Sequence, residues 1–185
     1  MFRPYGITNQ QLDDLIKVIN GKTGGQIITN CCRIIKNRKE IIVSQEAGRS
    51  ETLYNVSTAA GFKKIPGIES AELFEVNDSF QIPYDSSIAC LDYDKLKFPL
   101  KIRKWEPGDN FYPLGMKQKK KLSDYFIDNK YSILDKENIL ILESEGEIVW
   151  IIGDRIDNRF KITRSTRNAL IIKSSKNILL IKPIR

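Results

Sequence analysis

The chain has 185 residues, of which 41% are hydrophobic and 29% are charged. This balance is typical of a soluble globular protein and argues against a disordered chain. Histidine is absent, which removes the commonest general base and the commonest zinc ligand. Thirty Lys and Arg against 23 Asp and Glu leave a net charge of +7. That excess favours a polyanionic partner, because phosphates attract clustered cations.

The cysteines and the terminal sequence predict a cytoplasmic protein. Cys31 and Cys32 are adjacent and only one other cysteine occurs, so a disulfide framework is not expected. The first residues show no secretory signal, and no apolar run approaches the roughly 18 residues that a membrane-spanning helix needs. We therefore expect no membrane partner.

The first predicted element is a helix that starts at Thr8. Gln11 follows three residues later and completes a capping-box pattern. An apolar stripe then follows at helical spacing and consists of Leu12, Leu15, Ile16 and Ile19. Gly21 is expected to end the helix in a left-handed C-cap conformation.

A strand pattern follows, with runs at 27–28, 34–35 and 41–43 and a turn at 37–38. One helix and one hairpin bury little apolar surface alone. We therefore expect residues 1–47 to be the end of a middle domain that begins upstream.

Residues 44–50 are predicted to be a linker, and 48–80 are predicted to be a connecting region. Residues 81–185 are predicted to be a β-rich domain. Extended runs are expected at 53–56, 71–76, 87–91 and 100–105, a short helix at 122–127, and hairpins at 139–142 with 148–152 and at 170–172 with 178–181. The predicted fold class is α+β and mostly β: a β-rich layered C-terminal domain with a short helix, preceded by a helix–hairpin remnant of a middle domain.

Two glycine-containing motifs resemble nucleotide-binding loops. Gly21-Lys22-Thr23 resembles the end of a Walker A loop, but Ile16 stands where that loop needs a glycine, and the motif follows a helix instead of opening one. The stretch 23–27 echoes an ATP-pyrophosphatase loop without its acidic residue or its final serine. We expect no ATP site, no metal site and no catalytic residues in this chain.

The most informative stretch is 102–130, which reads IRKWEPGDNFYPLGMKQKKKLSDYFIDNK. A basic strand and a turn lead to an aromatic pair, then to a lysine-rich loop that enters the 122–127 helix with Ser123 as the expected N-cap. Lysines beside free backbone N–H groups favour a phosphate. The alternative is a solvated lysine run. The candidate phosphate-binding residues in this stretch are Arg103, Lys104, Lys117, Lys119, Lys120, Lys121 and Lys130.

A second basic stretch spans 153–164. Arginine suits phosphate recognition and base stacking better than lysine does. The alternative is that Asp154 and Asp157 pair with these arginines and only hold the loop in shape. The candidate contacts here are Arg155, Arg159, Lys161 and Arg164, whereas Trp105, Trp150, Phe126 and Phe160 are expected to be structural.

Taken together, these motifs resemble the C-terminal domain of bacterial tRNA(Ile)-lysidine synthetases. The residues that carry the resemblance are Gly108-Asp109, Phe111, Pro113-Leu114-Gly115-Met116, 120–128 and 150–161. They cover the second half of the chain, and the first hundred residues match only loosely. The resemblance implies a layered β-rich fold akin to one in phenylalanyl-tRNA synthetase.

The same resemblance implies a function. Family members are ligases that use ATP to adenylate the wobble cytidine of tRNA(Ile), after which lysine displaces AMP. ATP and magnesium are expected only in an N-terminal catalytic domain, which this chain lacks, so it should be inactive alone. The expected partners are tRNA(Ile), held by its body and acceptor stem, and the catalytic domain, with a homodimer left open. The competing hypothesis is a structural or dimerisation domain that does not contact RNA.

Overall fold

The computed structural model describes residues 5–44, 53–77 and 79–175. These residues form two compact units, 5–44 with Ser132–Leu134, and 53–131 with 135–175. The α-helices are α1 (Leu12–Asn20), α2 (Leu122–Asp128) and α3 (Ile133–Asn138), and short 3-10 helices lie at Asn9–Gln11, Ala59–Lys64 and Tyr93–Lys95. No described helix is both long enough and apolar enough to cross a bilayer.

Most of the described secondary structure is strand. The strands are β1 (Gln26–Ile28), β2 (Arg33–Asn37), β3 (Glu40–Ser44), β4 (Leu53–Val56), β5 (Ile68–Glu75), β6 (Ile88–Asp92), β7 (Leu100–Lys104), β8 (Asn110–Phe111), β9 (Lys120–Lys121), β10 (Leu140–Ser144), β11 (Glu147–Ile151), β12 (Arg155–Ile156) and β13 (Asn168–Ser174). The prediction of a mostly β, layered α+β fold is therefore confirmed.

The first unit packs α1 against an antiparallel sheet of order β1-β2-β3. The Thr8 backbone N–H donates to Gln11 Oε1 at 3.1 Å, so the chain turns into a helix where the capping box predicts it. Leu15, Ile27 and Ile34 form the centre of its small core. The turn predicted at 37–38 lies one residue later, at 38–39, because Asn37 still pairs with Glu40 in the sheet. Arg38 has φ 53, a left-handed conformation that two-residue hairpin turns use.

Two details of the first helix were predicted wrongly. Leu12 and Ile16 are 37% and 54% exposed, because the face that meets the sheet is formed by Leu15 with Val18 and Ile19. Gly21 follows the last helical residue with φ −81, so it is extended and not left-handed. The helix ends there because the chain turns away toward β1.

The second unit has three layers. The five-stranded sheet of order β12-β11-β10-β7-β4 lies in the middle, and the three-stranded sheet of order β5-β13-β6 covers one face. Ile102 and Trp150 from the first sheet share a core with Leu170 from the second. The opposite face carries Ile141 and Ile151, which pack against Phe126 of α2. Alternation along the strands produces these two apolar faces.

Strands β4 and β5 lie within 48–80, the stretch predicted to connect two domains. β4 is the edge of the five-stranded sheet beside β7, and β5 is the edge of the three-stranded sheet beside β13. Both therefore belong to the sheets of the second unit. The linker residues 45–50 and the strand expected at 178–181 lie outside the described residues.

The hairpin β10–β11 follows its prediction closely. Glu145 and Gly146, at φ 46 and 82, both adopt the left-handed conformation that a two-residue hairpin turn of type I′ uses. β11 is buried from Ile148 to Ile151, because the sheet has protein on both faces. A strand in that position is apolar throughout instead of alternating.

Burial predicts different reactivity for two of the thiols. Burial raises the pKa of the Cys90 thiol from 9.0 to about 11, whereas Cys31 is exposed. At a given pH below 9, native Cys90 should hold about a hundredfold less thiolate than an ordinary thiol, because two pKa units separate them. We expect mass spectrometry of the native protein to show rapid alkylation at Cys31 and slow alkylation at Cys90. Equal rates would contradict the burial.

The same shift predicts a loss of stability at high pH. Because the folded pKa of Cys90 lies above the unfolded value, its contribution is fully present below pH 9.0 and is lost as the pH rises to about 11. A Cys90→Ser variant should lose this part of the pH dependence of the urea midpoint.

Candidate nucleic-acid interface

The lysine-rich loop is supported by a two-stranded ribbon. Asn110 pairs with Lys121 and Phe111 pairs with Lys120 across β8 and β9, which leaves residues 112–119 as the connection. Phe111 is fully buried against α2 and anchors the base of the ribbon. Paired residues of a ribbon point to the same face, so Lys120 lies on the core side with Phe111. Lys121 lies on the opposite side with Asn110.

Backbone hydrogen bonds hold the two basic stretches together. The Leu114 N–H donates to the Ile156 carbonyl at 3.1 Å, and the Asn158 N–H donates to the Tyr112 carbonyl at 2.7 Å. The guanidinium carbon of Arg159 lies 4.7 Å from the centroid of the Tyr112 ring, a distance typical of cation–π contact. The 112–119 loop and the 155–159 segment therefore form one surface region, which we call the double loop.

Asp157 lies at the centre of the double loop and is completely buried. Its Oδ2 accepts the Tyr112 N–H at 2.9 Å and Arg159 Nη2 at 2.9 Å. Its Oδ1 accepts the backbone N–H of Arg159 at 2.8 Å and its Nε at 3.0 Å. One carboxylate thus satisfies four donors, which is the condition under which a buried charge is tolerated.

Three of the predicted tRNA contacts are neutralised within the protein. Arg103 forms a bidentate pair with Asp109, at 2.8 and 2.9 Å, and its Nε donates to Glu143 at 2.8 Å. The Asp109 hydrogen bond, aided by Glu143, raises the pKa of Arg103 above its usual range. Arg159 pairs with Asp157 and also with Glu147. Lys120 Nζ lies 2.6 Å from Asp128.

The structure thus gives Arg159 the supporting role that the alternative assigned to the arginines of 153–164. Arg103 has a comparable role, which was not predicted. Asp109 and Glu143 were not identified as partners from the sequence. They are 34 residues apart in the chain, and only the pairing of β7 with β10 brings Arg103 beside Glu143. The Gly108-Asp109 turn was the one local signal for the first of them.

Two lysines of the loop and one of strand β9 are arranged differently. Lys117, Lys119 and Lys121 are exposed. Within residues 5–44, 53–77 and 79–175, no carboxylate lies within ion-pairing distance of any of them. Uncompensated cations on a shaped loop can neutralise phosphates, whereas paired ones must first lose their partners.

Arg155 lies at the edge of this region. It is exposed and sits beside the Tyr125 hydroxyl, which donates to Asp154 at 2.8 Å. Burial is the main cause that raises the pKa of Tyr125, the Asp154 charge adds to it, and Arg155 opposes it. Tyr125 therefore remains a neutral donor that fixes Asp154 next to Arg155.

The remaining residues that were predicted to contact tRNA lie outside the double loop. Lys104 follows Arg103 on β7 and so points to the opposite face of the strand. Lys130 is exposed just after α2 at φ 59. The backbone of Lys161 forms an isolated antiparallel β-bridge with Leu91 of β6. Arg164 is exposed on a turn, and Thr166 of the same turn donates a 2.7 Å hydrogen bond to Asp92. Thus the double loop gathers only part of the predicted set.

The start of α2 differs from its prediction. The helix begins at Leu122 with Lys121 at the N-cap position, and Ser123 donates to Asp124 at 3.2 Å instead of capping the helix. The Leu122 N–H donates to the Asp109 carbonyl at 2.9 Å, so a tertiary contact replaces the expected side-chain cap. By contrast, Trp150, Phe126 and Phe160 are buried as predicted.

No group of three or more potential metal-ligating side chains occurs within the described part of the chain. The Gly21-Lys22-Thr23 motif lies between α1 and β1, so no helix begins there to receive a phosphate.

Comparison with known proteins assigns the family. Residues 1–46 match the family model described as TilS substrate binding domain, and residues 100–172 match the model described as TilS substrate C-terminal domain. The tRNA(Ile)-lysidine synthase of Parabacteroides distasonis is 36% identical over 172 residues, which cover 93% of this chain and 39% of the relative. That of Bacteroides thetaiotaomicron is 35% identical over 170 residues, covering 92% and 37%.

Among solved structures, the chain is similar to a crystal structure of a TilS C-terminal domain. The TM-score is 0.51 at 19% identity, and the match covers 66% of this chain and 95% of the other. At this identity the likeness supports the fold alone. The chain spans less than two fifths of the length of the two curated relatives named above. With both family models matched in order along it, this chain belongs to the tRNA(Ile)-lysidine synthase family and corresponds to its substrate-binding and C-terminal domains.

Proposed function

We propose that this chain docks tRNA(Ile), by its body and acceptor stem, for an ATP-dependent ligase that converts the wobble cytidine to lysidine. The observation that carries the proposal is the contrast among the cations. Arg103, Lys120 and Arg159 are paired with carboxylates, whereas Lys117, Lys119 and Lys121 are exposed without an ion pair to any described carboxylate. The paired cations support the double loop and the strands beside it. The three exposed lysines are available to phosphates.

The division of labour has a physical rationale. A remote cationic surface that orients a long substrate lets a separate catalytic domain meet the reactive base in one geometry. Double-stranded RNA offers phosphates and shape to such a surface. Lys104, Lys130, Arg155, Lys161 and Arg164 remain predicted contacts outside this lysine group, and the chemistry with ATP belongs to the catalytic domain of the full-length protein.

The test is the salt dependence of tRNA binding by the full chain. Affinity for tRNA falls as salt rises, and replacing Lys117, Lys119 and Lys121 together by Ala should make that fall less steep. The slope of log affinity against log salt concentration should decrease in magnitude by about 2 to 3, because each lost phosphate contact removes roughly 0.7 to 0.9. The affinity at low salt should fall by about 10- to 100-fold. Filter binding across a salt series measures both quantities.

A matched control separates the location of the charges from their number. Exposed Lys22, Lys63 and Lys64 can be replaced by Ala with the same loss of three charges, and we expect a much smaller change in slope. Equal changes of the salt slope in the two variants would show that tRNA is attracted by the total charge of the protein and not by a defined surface. A tight dimer in sedimentation with no tRNA affinity would replace the proposal by the structural alternative.

A further inference from the structure

The tip of the double loop presents two apolar side chains that phosphate binding does not explain. Leu114 and Met116 are 39% and 41% exposed. They flank Gly115, whose φ of +88 places it in the left-handed region. Among the described residues, none has an atom within 4 Å of where a Cβ of this glycine would lie. The Met116 N–H donates to the Pro113 carbonyl at 2.8 Å and closes a four-residue turn, which we call the apolar turn.

The apolar turn is held rigidly. Each backbone N–H from Tyr112 to Met116 donates a hydrogen bond, apart from that of Pro113, which has none. The Leu114 N–H reaches the Ile156 carbonyl at 3.1 Å, and the Gly115 N–H reaches Asn158 Oδ1 at 3.1 Å. Single exposed hydrophobic residues are common and need no explanation. A pair displayed on a turn with no free N–H is preorganised for contact, because little backbone entropy remains to be lost on binding.

The neighbouring charges indicate what that contact is. Lys117 and Lys119 follow the turn directly and are exposed, so the occupant must be anionic as well as partly apolar. An anionic bilayer meets both conditions, but its binding grows with the apolar area that is inserted, and two half-exposed side chains offer little. An RNA double helix also meets them, since its wide, shallow minor groove exposes riboses and base edges between two rows of phosphates.

We propose that Leu114 and Met116 enter the shallow minor groove of an RNA double helix and pack against its riboses. Lys117 and Lys119 then neutralise the phosphates on either side of the contact. This inference rests on the proposed function and adds a second kind of contact to it. In DNA complexes, apolar side chains that enter the minor groove are an established means of enlarging the contact beyond the phosphates.

The test compares two variants of the full chain on the same RNA. Replacing Leu114 and Met116 together by Ala should weaken binding to an RNA hairpin by about tenfold at every salt concentration, with an unchanged slope, because apolar burial releases no counterions. A second variant, with Gln at both positions, should show the same parallel loss. In the control variant, Leu53 and Leu73, which are 58% and 50% exposed on edge strands, are both replaced by Ala. This variant should bind the RNA hairpin as tightly as the wild type does.

Each outcome has one meaning. Wild-type affinity in both double variants, with the lysine variant still impaired, would overturn the groove contact and leave the proposed function standing. Unchanged binding in the lysine variant too would remove the proposed function itself. An equal loss on an RNA hairpin, single-stranded RNA and a DNA duplex would overturn groove recognition. Stronger binding to phosphatidylserine vesicles than to RNA, abolished by the double variant, would assign the turn to a bilayer. An unchanged urea midpoint shows that the variants are folded.

Discussion

Asp157→Ala is expected to lower the free energy of unfolding by about 3 kcal/mol and to weaken tRNA binding at the same time. The substitution removes four hydrogen bonds from a fully buried carboxylate. It leaves the Arg159 guanidinium with Glu147 as its remaining ion-pair partner among the described residues. Breaking a buried pair from one side typically costs 3–5 kcal/mol, and the lower value applies here because Arg159 is 35% exposed.

The effect on binding has a diagnostic sign. Removing a carboxylate raises the net charge by one, and charge alone would strengthen binding to tRNA. We expect weaker binding instead, because Asp157 holds Tyr112 and Arg159 in the double loop. Urea unfolding and low-salt tRNA affinity measure the two effects. Glu72→Ala, at an exposed position of β5, is the control and should change stability by less than about 0.5 kcal/mol. Tighter tRNA binding by Asp157→Ala would contradict the supporting role.

Arg103→Ala is also expected to lower the free energy of unfolding by about 3 kcal/mol. Arg103, Asp109 and Glu143 have side chains that are 20%, 14% and 9% exposed, so the variant leaves two largely buried carboxylates without their shared cation. Asp109 also accepts the Glu106 N–H at 2.8 Å. The turn that leads into β8 should therefore loosen together with the ion pairs.

Arg103→Lys separates a structural role from an RNA contact. Lysine keeps the charge but cannot form the bidentate pair with Asp109, so we expect an intermediate loss of stability and an unchanged salt slope of tRNA binding. Lys101→Ala, at an exposed position of the same strand, is the control for strand packing and should be nearly neutral. If Arg103→Ala matches Lys101→Ala in its urea midpoint and instead lowers the salt slope by about 0.7 to 0.9, Arg103 binds phosphate directly.

These two predictions share one physical idea. Carboxylates in this domain form ion pairs with particular cations. The other lysines of the basic loop stay exposed to a ligand. A chain with a charge of +7 thus contains both kinds of cation within a few residues of each other, as Lys119, Lys120 and Lys121 show. Lys120 faces the core and pairs with Asp128, while its two neighbours are exposed. Alternation along β9 places Lys120 and Lys121 on opposite faces.

Local patterns in the sequence determined most of the elements. The capping box at Thr8, the β10–β11 turn at Glu145 and Gly146, and the strand at Leu53–Val56 are where they were predicted. Each depends on interactions between residues close in the chain, such as turn conformation and side-chain periodicity. The motifs from Gly108 to Lys161 were also sufficient to identify the family.

Tertiary structure alone decided the order of the sheets and the state of each cation. β13 pairs with both β5 and β6, a connection that no local pattern contains. Arg103 and Lys117 were both predicted to bind phosphate, but the first meets Glu143 across β7 and β10, while the second is exposed on its loop. The reason is that a charge is neutralised by whatever lies within a few ångströms in space, and strand pairing brings together residues that are 40 positions apart.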